Sequence, residues 1–230
     1  MEGLLSWVSQ LRFDTVIETA IVVAASLLCI TFHETCHGFV AYLLGDQTAK
    51  RMGRLTLNPL KHVDLLGLIV MAVAHFGWAK PVPVDMRNFK NPKTGMALTA
   101  LAGPLSNVLL AYFAILLQCA LLAVDLRYHP AFLSPIQTFL SYVYLISAGL
   151  AVFNIFPIPP LDGSKVLFSF LPDRLYAKLM KIERYGMLLL AALLLTHVLD
   201  GPLVFLREGL LNFLISASEW AYYLVLKIII

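Results

Sequence analysis

The chain has 230 residues, of which 60% are hydrophobic and 13% charged, and its formal net charge is +3. Soluble domains carry about a quarter charged residues, so this much apolar surface excludes an ordinary soluble protein and points to a membrane-embedded one. The basic residues fall in short clusters between apolar stretches, which is the signature of membrane topology and excludes a nucleic-acid partner.

In chain order, residues 1–14 read as an interfacial amphipathic segment carrying Leu4, Leu5, Trp7, Val8 and Leu11, and no removable signal peptide is expected. Thr15 with Glu18 fits a capping box that starts a first span, and Gly45-Asp46 stops it after Leu44. Gly53–Pro59 reads as a short strand, and Asp64–Trp78 as an apolar segment short enough to dip in and return. Lys80–Met86 reads as a second strand, with Pro81 and Pro83 removing donors from one edge and Val82 and Val84 able to pair on the other. Further spans are expected at about Met96–Val124, Pro135–Phe156, Tyr185–Leu199 and Leu203–Ile230, the last interrupted by Arg207, Glu208 and Glu219.

The expected fold is thus all-α and polytopic, with five to six transmembrane helices, a short re-entrant helix and small strands near the site. Its organisation is an interfacial segment 1–14, a core 15–184 and C-terminal helices 185–230. Lys and Arg are dense at 50–61, 80–93 and 165–184, and a re-entrant Asp64–Trp78 puts all three clusters on one side, which the positive-inside bias makes cytoplasmic. The N-terminus then lies outside. Cys29, Cys36 and Cys119 are odd in number and lie in apolar segments, so they read as buried thiols.

The chemistry concentrates in the first span, at His33-Glu34-Thr35-Cys36-His37. On a helix, His33 and His37 share a face one turn apart and can hold one zinc ion, while Glu34 can act as the base on zinc-activated water. Ionisable groups are costly in hydrocarbon and mark function there. A catalytic zinc needs a third protein ligand, and the best candidate is Asp162, just past the rigid Pro157–Pro160 turn, with Gly163 allowing a close backbone approach. Asn107, after the Gly103-Pro104 kink, could orient substrate or steady an oxyanion, or could simply hydrogen-bond between helices. His62, His75, His129 and His197 read as satisfied core residues, and Asp64 as a helix cap.

Together these residues resemble the site-2 protease family of intramembrane zinc metalloproteases. The resemblance rests on His33-Glu34-x-x-His37, on Asn154 through Leu161-Asp162-Gly163, and on Gly103-Pro104-x-Ser106-Asn107 between them; it covers roughly residues 15 to 184. It implies one zinc ion held by His33, His37 and Asp162, and Glu34 as catalytic base. It also implies cleavage of the transmembrane segments of other membrane proteins, in a bacterial cytoplasmic membrane with the site nearer the cytoplasm. Asn107, Asn154, Val82 and Val84 are the candidate substrate-facing residues, the last two by strand addition to an unwound substrate. Many relatives carry a PDZ or CBS domain that these 230 residues lack, so what gates access is not legible; nor is an oligomeric state. Two rival readings are a non-catalytic zinc-binding scaffold of the same fold and a metal or proton transporter. The intact Glu34 argues against the first. Against the second, a transporter would spread ionisable residues over several depths.

Overall fold

A computed structural model describes residues 16–64, 67, 80–130 and 132–229. The interfacial segment 1–14, Thr15 of the capping box, His75 and nearly all of the re-entrant segment 64–78 lie outside those residues.

The described elements are helices with no β-strand among them: α1 Val16–Leu43, α2 Thr48–Arg51, α3 Pro92–Tyr128, α4 Leu133–Ile155, α5 Asp162–Ser169, α6 Asp173–Ile182, α7 Gly186–Leu195, α8 Asp200–Ser216 and α9 Glu219–Ile229. Among the described residues, four stretches are long and apolar enough to cross a membrane: α1, α3, α4 and the run Asp200–Ile229. The expected span at Tyr185–Leu199 is corrected. It is the ten-residue α7, about 15 Å at 1.5 Å per residue, half the thickness of a hydrocarbon core.

The two expected strands are also corrected. Both segments run without a ladder because their polar groups are spent elsewhere. The Thr56 carbonyl accepts from the Thr35 hydroxyl at 2.8 Å and faces the His62 ring nitrogen at 2.9 Å. Asn58 caps a single 3-10 turn at Pro59–Lys61. In the second segment Pro81 and Pro83 have no N–H, and the Val82 N–H is donated to a side chain.

The end of α1 follows the expected stop in detail. Gly45, at φ +108°, sends its N–H to Tyr42, and Asp46 sends its own to Ala41, the paired bonds of a Schellman motif. Asp64 accepts from the Gly67 N–H at 3.0 Å, as a cap should.

The chain divides into two compact units. One contains residues 16–29, 107–130, 132–150 and 201–229. Its interior is made by small and branched side chains: Ala25, Cys29, Ala114 and Val143 in one cluster, Ala111, Ile115, Ala148 and Leu211 in another. Small residues let helices approach closely, and in lipid that packing, not water exclusion, holds them. Cys29 is buried there with Ser147, whose hydroxyl donates to the thiol at 3.1 Å, as a structural thiol would be.

The other unit contains the described residues of 30–64, 67, 80–106 and 151–200, and every candidate zinc ligand lies in it. His62 is buried in it, and its Nε2 pairs with the Thr56 carbonyl, but its buried Nδ1 has no partner among the described residues, so the satisfied reading holds only in part. His129 and His197 depart from that reading. Both are exposed residues in left-handed conformation at helix ends, and His197 Nδ1 lies 2.8 Å from an Asp200 carboxylate oxygen.

Candidate metal centre and active site

The helical spacing of His33 and His37 brings their Nε2 atoms to 3.0 Å, with ring planes at 89°. The Asp162 Oδ2 lies 3.2 Å from the first and 3.1 Å from the second. All three residues are buried, at 6%, 7% and 8% exposure.

The donor set can be tested for a metal by where the protons sit. The His37 Nδ1 faces the Thr99 carbonyl at 2.7 Å. A carbonyl only accepts, so Nδ1 carries the proton and Nε2 presents a lone pair to the cluster. A lone pair, a second imidazole and a carboxylate converging within 4.8 Å of one another are stable when a cation sits among them. Zinc bonds of about 2.0–2.2 Å would set tetrahedral ligand atoms roughly 3.3 Å apart, close to the separations seen. The residues fit zinc.

Local sequence explains the convergence. A Cβ on Gly103 would overlap the His37 ring and press on His33, so only glycine lets α3 pass there. Pro104 follows inside the helix, and the Ser106 hydroxyl donates to the Gly103 carbonyl at 2.7 Å. A Cβ on Gly163 would run into the Ile155 carbonyl, so Gly163 lets the turn after α4 fold back and deliver Asp162 at the start of α5.

Lys165 Nζ stands 3.6 Å from Oδ1, leaving Oδ2 to the imidazoles.

Glu34 is half-buried beside the ligands, and its Oε2 accepts the Val82 N–H at 2.8 Å. Gly38, one turn on, gives the extended segment room: a Cβ there would meet Val82 at 3.0 Å. A cavity of about 380 Å³ opens on these groups, lined also by Val84, Asn154, Lys165, Met180 and Glu183.

The structure therefore brings together His33, Glu34, His37, Asp162, Val82, Val84 and Asn154. Asn107 is not brought in: it is fully buried, belongs to the other unit and does not line the cavity among the described residues. Residues that sequence reasoning missed include Thr99, Lys165, Met180 and Glu183. Lys165 had a signal, three residues after Asp162 on one helix face; Met180 and Glu183 had none.

Known proteins agree with this chemistry. The model of peptidase family M50 matches residues 124–196. The Bacillus subtilis (strain 168) protein named "Putative zinc metalloprotease YwhC" is 39% identical over 175 residues, 76% of this chain and 80% of that protein. Two proteins named "Putative zinc metalloprotease Rip2" are also similar. That of Mycolicibacterium smegmatis is 31% identical over 208 residues, covering 86% of this chain and 76% of its own. That of Mycobacterium tuberculosis (strain H37Rv) is 30% identical over 186 residues, covering 78% and 68%. No solved structure matches. With a relative this similar over most of its length, the chain belongs to peptidase family M50, the site-2 protease family of zinc metalloproteases.

Proposed function

We propose that this protein is an intramembrane endopeptidase that hydrolyses a peptide bond within or near a transmembrane segment of other membrane proteins. The observation that carries the reading is the convergence of His33 Nε2, His37 Nε2 and Asp162 Oδ2, with Glu34 beside them, on a helix apolar enough to span a bilayer. His33, His37 and Asp162 hold one zinc ion, and zinc when bound supplies Lewis-acid activation of water and of the scissile carbonyl. Glu34 takes the proton from the attacking water and delivers it to the leaving amine. Its carboxylate is aimed by the Val82 N–H, which it accepts at 2.8 Å.

A helical substrate keeps its carbonyls in its own hydrogen bonds and has to unwind before attack. Val84 and the carbonyls of Pro81–Val84 offer the unwound strand an edge. The Val82 N–H, already engaged by Glu34, does not take that part. Asn154, half-buried in the cavity wall, orients the strand, and Asn107 serves helix packing. The catalytic core is residues 15–184, the C-terminal helices 185–230 follow it, and the site lies near the cytoplasmic face of a bacterial inner membrane. The basic clusters support that topology, with 64–78 re-entrant.

The deciding experiment compares wild type and Glu34→Gln in liposomes against single-span substrates, with bound zinc measured in both. Zinc retained and cleavage lost is the expected result. Undiminished cleavage by Glu34→Gln would overturn the reading.

A further inference from the structure

Asp46 belongs to no catalytic motif above, only to the stop of α1, yet its side chain is a carboxylate at 0% exposure. A buried charge persists only when its oxygens are satisfied. Oδ1 accepts from the Thr48 N–H at 3.0 Å, from the Thr48 hydroxyl, and from the Asn88 side-chain amide at 2.7 Å. Oδ2 accepts from the Asp85 N–H, also at 2.7 Å. Stopping α1 needs none of this, since Gly45 and the main chain of Asp46 do it alone. The carboxylate instead reaches a segment some forty residues further along the chain.

That segment has no ladder to hold it. At one end the Lys80 N–H bonds to the His62 carbonyl at 2.9 Å, and the Lys80 carbonyl accepts from Arg54 at 2.7 Å. At the other end stand the two bonds to Asp46. Between the anchors, the Val82 N–H returns to Glu34. Asp46 is itself locked to α1 by its N–H bond to Ala41 at 2.9 Å, and α1 is the helix that carries Glu34. A brace thus leaves α1 at its C-terminal end and comes back to it at the catalytic turn. It is closed by one carboxylate at one end and one N–H at the other.

We infer that Asp46 is a positioning residue for the reaction: through Asp85 and Asn88 it holds the Lys80–Asp85 segment so that the Val82 N–H fixes the Glu34 carboxylate for proton transfer. The inference rests on the reading of Glu34 as the base. Displacements of about 1 Å at a reacting group can cost roughly a hundredfold in rate, so a brace of this kind controls turnover without touching substrate.

The test is Asp46→Asn, in which an amide NH2 would face the Asp85 N–H donor to donor. The expected result, measured per zinc-loaded molecule in liposomes, is a fall in kcat of about 10- to 100-fold with KM little changed. Bound zinc should stay at the wild-type level, and amide hydrogen exchange across 80–88 should be faster. Combined with Val82→Pro, which deletes the donor to Glu34, Asp46→Asn should add little further loss, because both act through one contact.

Wild-type kcat per zinc, additive losses, or zinc lost in step with activity would each overturn the inference. Should Asp46→Asn not fold, Asn88→Ala removes a single donor from the same carboxylate and should lower kcat several-fold; no change there would also overturn it. Glu34→Gln separates the two levels. A dead Glu34→Gln beside a fully active Asp46→Asn refutes the brace alone, whereas an active Glu34→Gln refutes the function on which it rests.

Discussion

Two parts of the same unit meet at the site, and they are held by opposite means. The zinc-ligand cluster is built by close packing: His33 and His37 share one helical face, Gly103 lets α3 lie against their rings, and Gly163 lets Asp162 approach. The Lys80–Asn88 segment is built by hydrogen bonds from scattered donors and acceptors: Asp46, His62, Arg54 and Glu34. The first is held by close contact, since neither Gly103 nor Gly163 leaves room for even one added carbon. The second is only as rigid as its anchors. Damage to the first should therefore remove the metal, and damage to the second should remove turnover while the metal stays.

The largest effect expected follows from Asp162→Ala. Deleting one ligand of three leaves two imidazoles that cannot hold zinc against a chelator, so bound zinc and cleavage should fall together to background. Zinc retained at the wild-type level by elemental analysis would show that a different residue completes the site. Gly103→Ala comes next. The added methyl displaces the His37 ring without touching its chemistry, and disturbing the support of a ligand costs about 10- to 100-fold in metal affinity. Competition with a zinc chelator measures it, and an unchanged affinity would mean that α3 can yield at that point. Val84→Pro is the counterpart on the other side of the comparison. It removes one N–H from the proposed substrate edge, so cleavage should slow several-fold while zinc affinity stays constant.

What could be read in advance divides along the same line. His33, Glu34 and His37 were legible because helical geometry turns sequence spacing directly into spatial proximity. Asp162 was legible because a proline-rich turn followed by Asp-Gly is a local feature that ends an apolar span. The helices α1, α3 and α4 followed from hydropathy alone. The two strands are absent because an extended backbone does not by itself imply a ladder. The Thr56 carbonyl and the Val82 N–H have side-chain partners instead, and such pairings across long sequence separations leave no periodic trace. In the sequence Asp46 shows only as part of a helix stop, since nothing local announces that its carboxylate is buried or that Asp85 and Asn88 supply donors to it. The span expected at 185–199 failed because apolar composition continues past the residues where the helix ends, at Thr196 and the left-handed His197.

The smallest effect is the sharpest control, because it lies within the same segment. Asp85 gives its N–H to Asp46 but its carboxylate to Arg87, at 2.6 Å, with Arg87 exposed to solvent. That side-chain hydrogen bond draws the Asp85 carboxyl down to about 2. A depressed carboxylate contributes stability above its unfolded value, near 4, and loses it only as pH falls through the folded value. The ion pair is therefore fully formed at any pH at which the enzyme would be assayed. Exposed pairs of this kind are screened by water and salt and stabilise little. Arg87→Ala should leave kcat, KM, zinc content and melting temperature at wild-type values, at low and high salt alike. A loss of kcat in Arg87→Ala comparable with that in Asp46→Asn would show that any disturbance near Asp85 suffices. The brace would then be a property of the whole segment and not of the buried carboxylate that closes it.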